Sequence, residues 1–548
     1  MVRMSMGNRS GADGGEPHPA TEEHGRVARA AGTIGLFTLI SRLLGFVRDV
    51  VVARLFGATL VADAFFVAFR IPNLLRELLA EGSMSAAFIP VFTEKLTNEG
   101  KKEAWELASR VFAVLLAVLV AVTCLGILTA PWIVRVIAPG FTEAGGQREL
   151  TVLLTRIMFP YLLFIGLAAL AMGILNALRA FALPAMAPIA FNLMLIGCAL
   201  WLAPGMETPA LGLAVGVLLG GIAQLGLQLP GLIGQGMMPR FRWAPSDPGV
   251  RRVGLLMLPM LVGLSVTQVN LLVNTLLASF LAEGSVSYLY YGMRLIHFPL
   301  GIFGVALATA ILPSLSAQAA KGDMAGVRDG FVGGLKLILF ITVPAMAGLI
   351  ALREPIVATL FERGAFDRTA TEGVAVAVLA YGTGLWAFAG VRVAASTFYA
   401  LKDTVTPVRI AAIAMASNVV LSLALMGPLA HGGLALATAL AAMINIILLV
   451  LALRGRLPGL ALSGIMPSLA RTAGASLVVA AGCAWVAAQP VWTAADGVMQ
   501  GVWLAAVVIG FSLLYPLLHH LMGGAEVREL KAAIMNRRKG NGEASTDG

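Results

Sequence analysis

The chain has 548 residues, of which 58% are hydrophobic and 12% are charged, and its mean hydropathy is +0.87. Water-soluble domains carry about 25% charged residues, so this composition argues against soluble domains, a secreted disulfide scaffold and an ordinary cytosolic enzyme. The net charge of +10 resides mostly in short breaks between apolar stretches. That distribution is typical of a membrane topology signal, and we expect no nucleic-acid partner.

Long apolar stretches begin after a polar amino-terminal segment. Residues 1–27 lack an apolar period, and we expect them to form a disordered cytoplasmic tail that is not a signal peptide. Fourteen later stretches are long enough to span a bilayer, which needs about 20 residues. The predicted spans are 28–53, 60–89, 104–137, 149–178, 183–203, 210–237, 253–282, 285–317, 329–352, 370–400, 405–427, 433–453, 467–489 and 498–521. The sequence therefore predicts an all-α polytopic membrane protein with 14 transmembrane helices.

Lys and Arg are unevenly distributed between the two sides of these spans. Most of them, including the basic tail 523–548, fall on the side that the amino terminus occupies. Short loops rich in Lys and Arg stay in the cytoplasm, so this bias places both termini there. The even number of predicted spans agrees with that orientation.

An internal repeat is visible at an offset of 223 to 224 residues. Chance similarity of apolar sequence is the alternative, but proline and charged positions align as well as apolar ones. The paired positions include Pro90 with Pro313, Arg179 with Lys402, and Arg70 with Arg294. Six helices in each half predict parallel repeats about an axis along the membrane normal. We expect an N-lobe at 28–240, a C-lobe at 250–455 and two additional helices within 460–522.

The first two predicted helices carry charges that cost about 2.5–3.5 kcal/mol each at the bilayer centre. At about 100° per residue, Arg42 and Asp49 share one face of the first helix. A face of the second helix holds several charges, and opposed faces could neutralise each other across the pair. The residues on that second face are Asp63, Arg70, Glu77 and Glu81.

Three arginines do not fit this ladder of opposed charges on the first two helices. Arg48 and Arg76 lie about 120° around their helices from the charged faces, and Arg294 has no acid in its own helix. Such groups should face a water-filled cavity or an anion, and a guanidinium can bind phosphate oxygens with two parallel hydrogen bonds. The alternative for Arg48 and Arg76 is that they extend to a membrane interface.

Other polar residues of these helices have two interpretations. His297, one turn after Arg294, either lines the same cavity or packs. Several polar residues either bind a sugar or bridge helices, namely Asn73, Ser287, Asn270 and Asn274. The spacing of Gly212, Gly216 and Gly220 predicts a close approach of a neighbouring helix. The sequence has no Walker loop, dinucleotide fingerprint, HExxH motif or cysteine pair, so we expect neither an enzyme nor a cofactor or metal site.

Two segments resemble a known family. The run SRLLGFVRDVVVARLFGATLVADAFFVAFRIPNLLRELLAEGSMSAAFIPVF, from Ser41 to Phe92, is similar to the MurJ/MviN lipid II flippases, and so is the run from Ser265 to Ser316. This family belongs to the multidrug/oligosaccharidyl-lipid/polysaccharide exporter superfamily. The resemblance implies a flippase in the bacterial inner membrane that moves undecaprenyl-diphosphate-linked disaccharide-pentapeptide to the outer leaflet for peptidoglycan synthesis. It implies two lobes in a V around a cationic central cavity that alternate their access.

The resemblance also implies functional positions. They are Arg42, Arg48, Arg76, Arg294, Asp49, Asp63 and Ser287. It implies a groove for the polyprenyl tail in the last two helices. Where a relative carries Glu, this chain has His297, and the acidic ligands of a sodium site in some relatives have no match here. Na⁺, H⁺ or the membrane potential remain open as the driving force. We expect a monomer, in contact with membrane lipids and open to contact with cell-wall synthesis proteins.

Three other functions are alternatives. A flippase for another lipid-linked oligosaccharide would have the same chemistry. A cation-coupled drug exporter of the same superfamily should hold surplus acid in its cavity, whereas the surplus here is basic. A membrane-embedded glycosyl or phospho-sugar transferase would need an acidic metal-binding cluster near a membrane face, which the sequence lacks.

Overall fold

The computed structural model describes residues 19–78, 83–142, 146–494, 497–524 and 526. Within these ranges the chain is helical and connected by short turns. Two π-helical turns, Cys198–Leu202 and Leu300–Gly304, interrupt longer helices. The α-helices are α1 Pro19–Phe56, α2 Leu60–Leu78, α3 Met84–Asn98, α4 Lys101–Ile137, α5 Gln147–Met158, α6 Tyr161–Ala177, α7 Ala182–Gly197, α8 Pro209–Gly234, α9 Pro248–Ala278, α10 Ser285–Pro299, α11 Val305–Ala320, α12 Met324–Ala351, α13 Arg353–Phe361, α14 Arg368–Gly382, α15 Leu385–Ala400, α16 Val405–Arg454, α17 Met466–Ala487, α18 Val491–Ala494 and α19 Gly497–Leu521.

The first helix begins earlier than the sequence predicts. It starts at Pro19, inside the segment 1–27 that we expect to be disordered, and it runs to Phe56. Proline fits the first turn of a helix, and the Glu, Arg and Ala residues that follow are good helix formers. The rest of that predicted tail, 1–18, lies outside the described residues.

The described helices confirm an all-α polytopic membrane protein. Nine helical segments of the described chain are long and apolar enough to span a bilayer, two of which combine α5 with α6 and α10 with α11. The number is ten when α14 and α15, which meet at a 43° bend, are counted as one span. The predicted count of 14 stays a prediction. The difference arises from the charged α1 and α2, from α9, and from α16, which contains two predicted spans.

Helix α16 is divided at Ala430, whose φ of 48° and ψ of −132° are not helical. A Cβ on Gly433 would lie less than 3.0 Å from the backbone of Leu425. Eight residues of straight helix would separate these positions by about 12 Å, so the chain doubles back here. The sequence predicts two spans, 405–427 and 433–453, on the two sides of this turn.

The glycine-rich face of α8 packs closely on α7 and the π-helical turn after it, which confirms the sequence interpretation. A Cβ on Gly216 would lie 2.9 Å from Cys198, and Cβ atoms on Gly212 and Gly220 would contact Ala203 and Phe191 even more closely. Because each glycine lacks a side chain, the two helix backbones can approach each other.

Equivalent positions of the predicted repeat share unusual backbone angles. Arg179 has a φ of 60° and Lys402 a φ of 59°, and they are two of the three non-glycine residues with positive φ in the described chain. Gly236 and Gly459, also 223 residues apart, have φ of 73° and 75°. Two repeats of one structure would give such agreement, and we use N-lobe for α1–α8 and C-lobe for α9–α16.

Helices α17 and α19 pack beside the C-lobe. Helix α17 lies against α12, and Phe340 forms a small apolar core with Val479, Cys483 and Tyr515. The Tyr515 hydroxyl donates a 2.9 Å hydrogen bond to the Phe340 carbonyl oxygen, which fixes α19 to the lobe. Much of the remaining α19 surface is exposed apolar side chains, as expected of a lipid-facing helix.

Candidate substrate-binding site

Asp49 is a carboxylate shared by two arginines from different lobes. The Arg48 Nη2 atom donates to Asp49 Oδ1 at 2.7 Å, and Arg294 Nε of α10 donates to Asp49 Oδ2. Asp49 is only 2% exposed, whereas the Arg294 side chain remains 36% exposed. The three charges sum to one net positive charge, because one carboxylate cannot neutralise two guanidinium groups.

Neutral groups complete the surroundings of Asp49. The Tyr290 hydroxyl donates to Asp49 Oδ1 at 3.1 Å. Asn192 of α7 accepts a 3.2 Å hydrogen bond from Arg48 Nη1, and its own Nδ2 donates to the Ser41 carbonyl oxygen at 3.2 Å. These contacts hold the Arg48 guanidinium in place without adding negative charge. The sequence interpretation singled out neither Tyr290 nor Asn192.

The sequence prediction for the first helix is therefore corrected. Arg48, expected to lie outside the ladder of acids, is the direct partner of Asp49. Arg42, expected to face the acids, instead donates from Nη1 to the Gly301 carbonyl oxygen at 3.2 Å. Among the described residues, Arg42 makes no ion pair. Arg42 is thus a cation of α1 that no described acid neutralises.

Asp63 caps the amino terminus of α10 from the opposite lobe. Its Oδ1 atom accepts hydrogen bonds from the Ser287 backbone N at 2.8 Å and from Ser287 Oγ at 2.6 Å. Its Oδ2 atom accepts from the Gly284 backbone N at 2.8 Å. A carboxylate at a helix amino terminus satisfies free N–H groups and opposes the positive end of the helix dipole. We call this contact of Asp63 with Gly284 and Ser287 the lobe latch.

The contacts between α2 and α10 join positions that are equivalent in the predicted repeat. Asp63 and Ser287 are 224 residues apart. The rings of Phe66 and Tyr290, with the same separation, stack with centroids 4.0 Å apart. Equivalent residues meet each other where two repeats cross at their common axis, so this is the geometry that the predicted repeat would produce.

Arg70 lies on α2 and lacks the carboxylate that the sequence prediction gave it. The lobe latch occupies Asp63, and Arg70 forms no ion pair within the part of the chain that the structure describes. Its Nε atom is buried without a hydrogen bond, and its Coulombic neighbours are Tyr290, Tyr381 and Glu77. Arg70 is thus a second cation that the ladder does not neutralise.

Arg76 belongs to a separate cluster at the end of α2. Its Nε and Nη2 atoms donate to Asn73 Oδ1 at 3.1 Å and 3.0 Å, and Nη2 lies 3.6 Å from a Glu77 carboxylate oxygen. Asn73 Nδ2 also donates to Glu77 at 2.9 Å, and Gln268 of α9 donates to the other Glu77 oxygen. The prediction that Arg76 lacks an acid is wrong. The third acid of the predicted face, Glu81, lies outside the described residues.

His297 is exposed on α10, and the charged groups close enough to act on it are two arginines, Arg294 and Arg392. Arg392 lies in α15 and, among the described residues, has no ion-pair partner. The sequence interpretation missed Arg392, although the signal that selected Arg294 also applies to it, because α15 contains no acid. The surroundings of His297 therefore add to the positive charge beside the shared carboxylate.

The asparagines of α9 bridge helices. Asn418 Nδ2 of α16 donates to Asn270 Oδ1 at 2.8 Å and to Asn274 Oδ1 at 2.9 Å. Asn274 Nδ2 in turn donates to Thr438 Oγ1 at 3.2 Å. Of the two sequence interpretations, sugar binding and helix bridging, these contacts favour bridging.

Backbone segments of the two lobes also touch near the lobe latch. The Ala365 N–H donates to the Arg54 carbonyl oxygen at 2.8 Å, and a Cβ on Gly364 would lie less than 3.0 Å from that oxygen. Gly140 N donates to Ser279 Oγ at 3.1 Å, and a Cβ there would lie less than 3.0 Å from the Ser279 backbone. Gly140 and Gly364 are equivalent in the predicted repeat. We call these two contacts the glycine gate.

An unneutralised cationic site between two helical lobes is the arrangement of a transporter of the alternating-access class. The fold is similar to that of an inward-facing multidrug resistance MATE family transporter of the MOP superfamily, with a TM-score of 0.67 and 15% identity over 77% of this chain and 95% of that chain. A structure described as lipid II flippase MurJ in an inward closed conformation gives a TM-score of 0.74 at 25% identity over 91% of this chain and 99% of that one.

Sequence comparison narrows this class to one family. The family profile described as lipid II flippase MurJ matches residues 52–504. A probable lipid II flippase MurJ of Vibrio cholerae is 39% identical over 93% of this chain and 98% of its own length. The lipid II flippase MurJ of Burkholderia cenocepacia is 38% identical over 89% and 96%. The chain belongs to the MurJ family of lipid II flippases.

Proposed function

We propose that this protein carries lipid II from the cytoplasmic to the outer leaflet of the bacterial inner membrane without changing its covalent structure. Family membership supports the substrate, and the charge of the site supports its binding mode. The observation that carries the proposal is that Arg48 and Arg294, from different lobes, share the single carboxylate of Asp49. A diphosphate supplies the negative charge that this arrangement lacks.

The diphosphate would bind by exchanging partners with Asp49. A guanidinium donates to phosphate oxygens in the same forked geometry with which it meets a carboxylate. Arg294 is the more exposed of the two arginines, and Arg42 and Arg70 add positive charge without an acid of their own. Binding would weaken the Arg294 contact with Asp49, which is an attachment between the lobes.

Opening toward the outer leaflet would then require the lobe latch and the glycine gate to separate. Asp63 is 2% exposed and accepts three hydrogen bonds from α10. Hydrogen bonds to a charged group contribute about 1.5–3 kcal/mol each, so this latch favours the closed gate until another interaction compensates for its loss. Loss of the Arg294 contact on substrate binding would lower the total free energy of the contacts between the lobes that oppose opening.

The predicted topology gives this mechanism its direction. With both termini cytoplasmic, the lobe latch and the glycine gate would lie on the periplasmic side. We propose a monomer that contacts membrane lipids and is driven by the membrane potential or by a coupling ion, Na⁺ or H⁺. The positive surplus argues against a drug exporter of the same superfamily, since a cavity for cationic drugs should carry surplus acid.

The proposal is tested in bacterial cells depleted of their own flippase. Arg294→Ala should reduce the lipid II that becomes accessible at the outer leaflet by roughly 10–100-fold, the effect of losing one charge-assisted hydrogen bond. Arg328→Ala is the matched control, because Arg328 lies partly exposed on α12, where it pairs with Asp329 and not with the shared carboxylate. Equal membrane abundance of both variants is measured in parallel. Wild-type transport by Arg294→Ala would overturn the proposal.

A further inference from the structure

An apolar pocket of about 260 Å³ lies in the N-lobe, away from the shared carboxylate. Phe112 of α4, Leu170 of α6 and Leu229 of α8 line it, together with Met238 and Pro239 of the segment between the lobes. All of its lining residues are apolar. The pocket exceeds the roughly 150 Å³ apolar cavity that is known to bind benzene, so it has room for part of a hydrocarbon chain.

The pocket is distinct from the proposed substrate site. Its lining residues come from α4, α6, α8 and the connecting segment 235–247, which we call the lobe linker. The shared carboxylate and its arginines lie on α1 and α10. The pocket is open at the molecular surface, since Leu229 and Met238 are exposed.

Charge lies directly beside the apolar pocket. Arg240 follows the lining residue Pro239, and its backbone N donates to Ser109 Oγ of α4 at 3.3 Å, one turn from Phe112. The Arg240 guanidinium is exposed and forms no ion pair with any residue that the structure describes. Phe241 and Trp243 beside it are 63% and 58% exposed. Exposed aromatic rings next to arginines are typical of a segment at the membrane–water interface.

The neighbouring arginines of this region are already neutralised. Arg110 contacts Asp247 at 2.7 Å and Glu106 at 2.9 Å. Arg242 contacts the same Glu106 at 3.2 Å. These ion pairs attach the lobe linker to α4 and leave Arg240 as the one arginine of the lobe linker itself without an acid, as far as the described chain extends. An anion that binds here therefore meets Arg240 first.

We propose that this pocket binds one acyl chain of an anionic phospholipid whose phosphate contacts Arg240. An acyl chain gains little by moving from the bilayer into an apolar pocket, because lipid tails are equally apolar. Selectivity must therefore come from the headgroup. Because the lobe linker connects the two lobes, a bound lipid would hold it against α4. The predicted topology places this lipid in the cytoplasmic leaflet.

Native mass spectrometry of the full chain in detergent tests this site. Phosphatidylglycerol and phosphatidylethanolamine with identical acyl chains are added separately, and retained lipid is counted. The wild type should retain phosphatidylglycerol about five-fold better, which is the contribution of one basic residue near an anionic group. Arg240→Gln should remove this preference, and Arg328→Gln, which removes the same charge elsewhere, should leave it intact. Ala171→Leu, which fills the pocket, should lower retention of both lipids.

Two outcomes would overturn the proposal. One is that Arg240→Gln retains phosphatidylglycerol as well as Arg328→Gln does; Arg240 is exposed, so its replacement leaves folding intact. The other is that undecaprenyl phosphate displaces phosphatidylglycerol at equal concentration, which would make the pocket a site for the substrate tail. Arg294→Ala should retain phosphatidylglycerol normally, so this result is independent of the proposed transport.

Discussion

At the scale of single residues, one carboxylate, that of Asp49, joins the two lobes and accepts hydrogen bonds from more arginines than it can neutralise. Asp49 accepts from Arg48 of its own helix and from Arg294 of α10, and Tyr290 completes its coordination. Removing one partner of a buried ion pair typically costs about 3–5 kcal/mol, because the other charge stays buried without compensation. The positive charge that Asp49 does not neutralise therefore destabilises the folded protein until an anion binds. A substrate that provides an anion during each transport cycle would offset this destabilisation.

Arg70 permits a test that separates function from stability. Because it has no carboxylate partner among the described residues, Arg70→Gln should leave the thermal unfolding midpoint unchanged or higher while lowering transport about tenfold. Asp49→Asn, by contrast, removes the negative charge that two arginines share and replaces one acceptor oxygen with an NH2 donor, so it should lower the midpoint. Thermal unfolding in detergent and outer-leaflet lipid II are measured for both variants. A lower midpoint for Arg70→Gln would mean that its charge is structurally neutralised.

The sequence identified most of the charged residues of the site but not their pairing. Helical angles describe where a Cβ atom points, and on that basis Arg48 should not meet Asp49. An arginine side chain is long enough to fold back onto its neighbour, which it does here. The partners of Asp63 could not be predicted either, because Gly284 and Ser287 contribute backbone N–H groups that no residue pattern reveals.

At the scale of elements, interruptions of helices create the functional contacts. The sequence predicts one span over 285–317, and the structure has one span over Ser285–Ala320 that consists of α10, the π-helical turn Leu300–Gly304 and α11. Arg42 donates to the Gly301 carbonyl oxygen within that turn. Interrupted helices leave carbonyl groups without their usual intrahelical partners, and π-helical turns occur often at functional sites. Hydropathy predicts that a span exists but not where its hydrogen bonding is interrupted.

The glycine gate predicts a specific effect of one added methyl group. Gly140→Ala should open the gate, because its Cβ would meet the Ser279 backbone, and overpacking costs about 1–3 kcal/mol. That cost corresponds to a shift of roughly 5–150-fold toward the open state. The measurement is the distance between spin labels on Thr142→Cys and Thr369→Cys, with the three native cysteines replaced by serine.

Gly348→Ala is the matched control for this experiment. A Cβ at Gly348 meets nothing within 4 Å, so the label distance should stay at its wild-type value. Gly140 suits the test better than Gly364, because Gly364 has a φ of +63° and any side chain there adds backbone strain. An unchanged distance distribution in Gly140→Ala would show that the gate does not depend on this backbone contact.

At the scale of the whole molecule, the charges are arranged in two distinct ways. The positive surplus within the lobes lies at Arg42, at Arg70 and at Arg294, which shares Asp49 with Arg48. The surplus in the loops sets the predicted topology and is largely exposed. The sequence predicted both the all-α class and the positive net charge of the candidate site. It could not predict the contacts of the lobe latch and the glycine gate, because they join residues of different lobes.

The direction of transport leads to a prediction about its energy source. Lipid II carries a negative diphosphate, and an inside-negative potential favours its outward movement by about 2.3 kcal/mol per charge per 100 mV when the full field is crossed. Collapse of the potential with valinomycin and potassium should therefore slow the appearance of lipid II at the outer leaflet of proteoliposomes. Nigericin, which exchanges protons for potassium without moving net charge, is the control and should have little effect. Slowing by nigericin alone would instead make protons the coupling ion, and indifference to both treatments would remove the potential as the driving force.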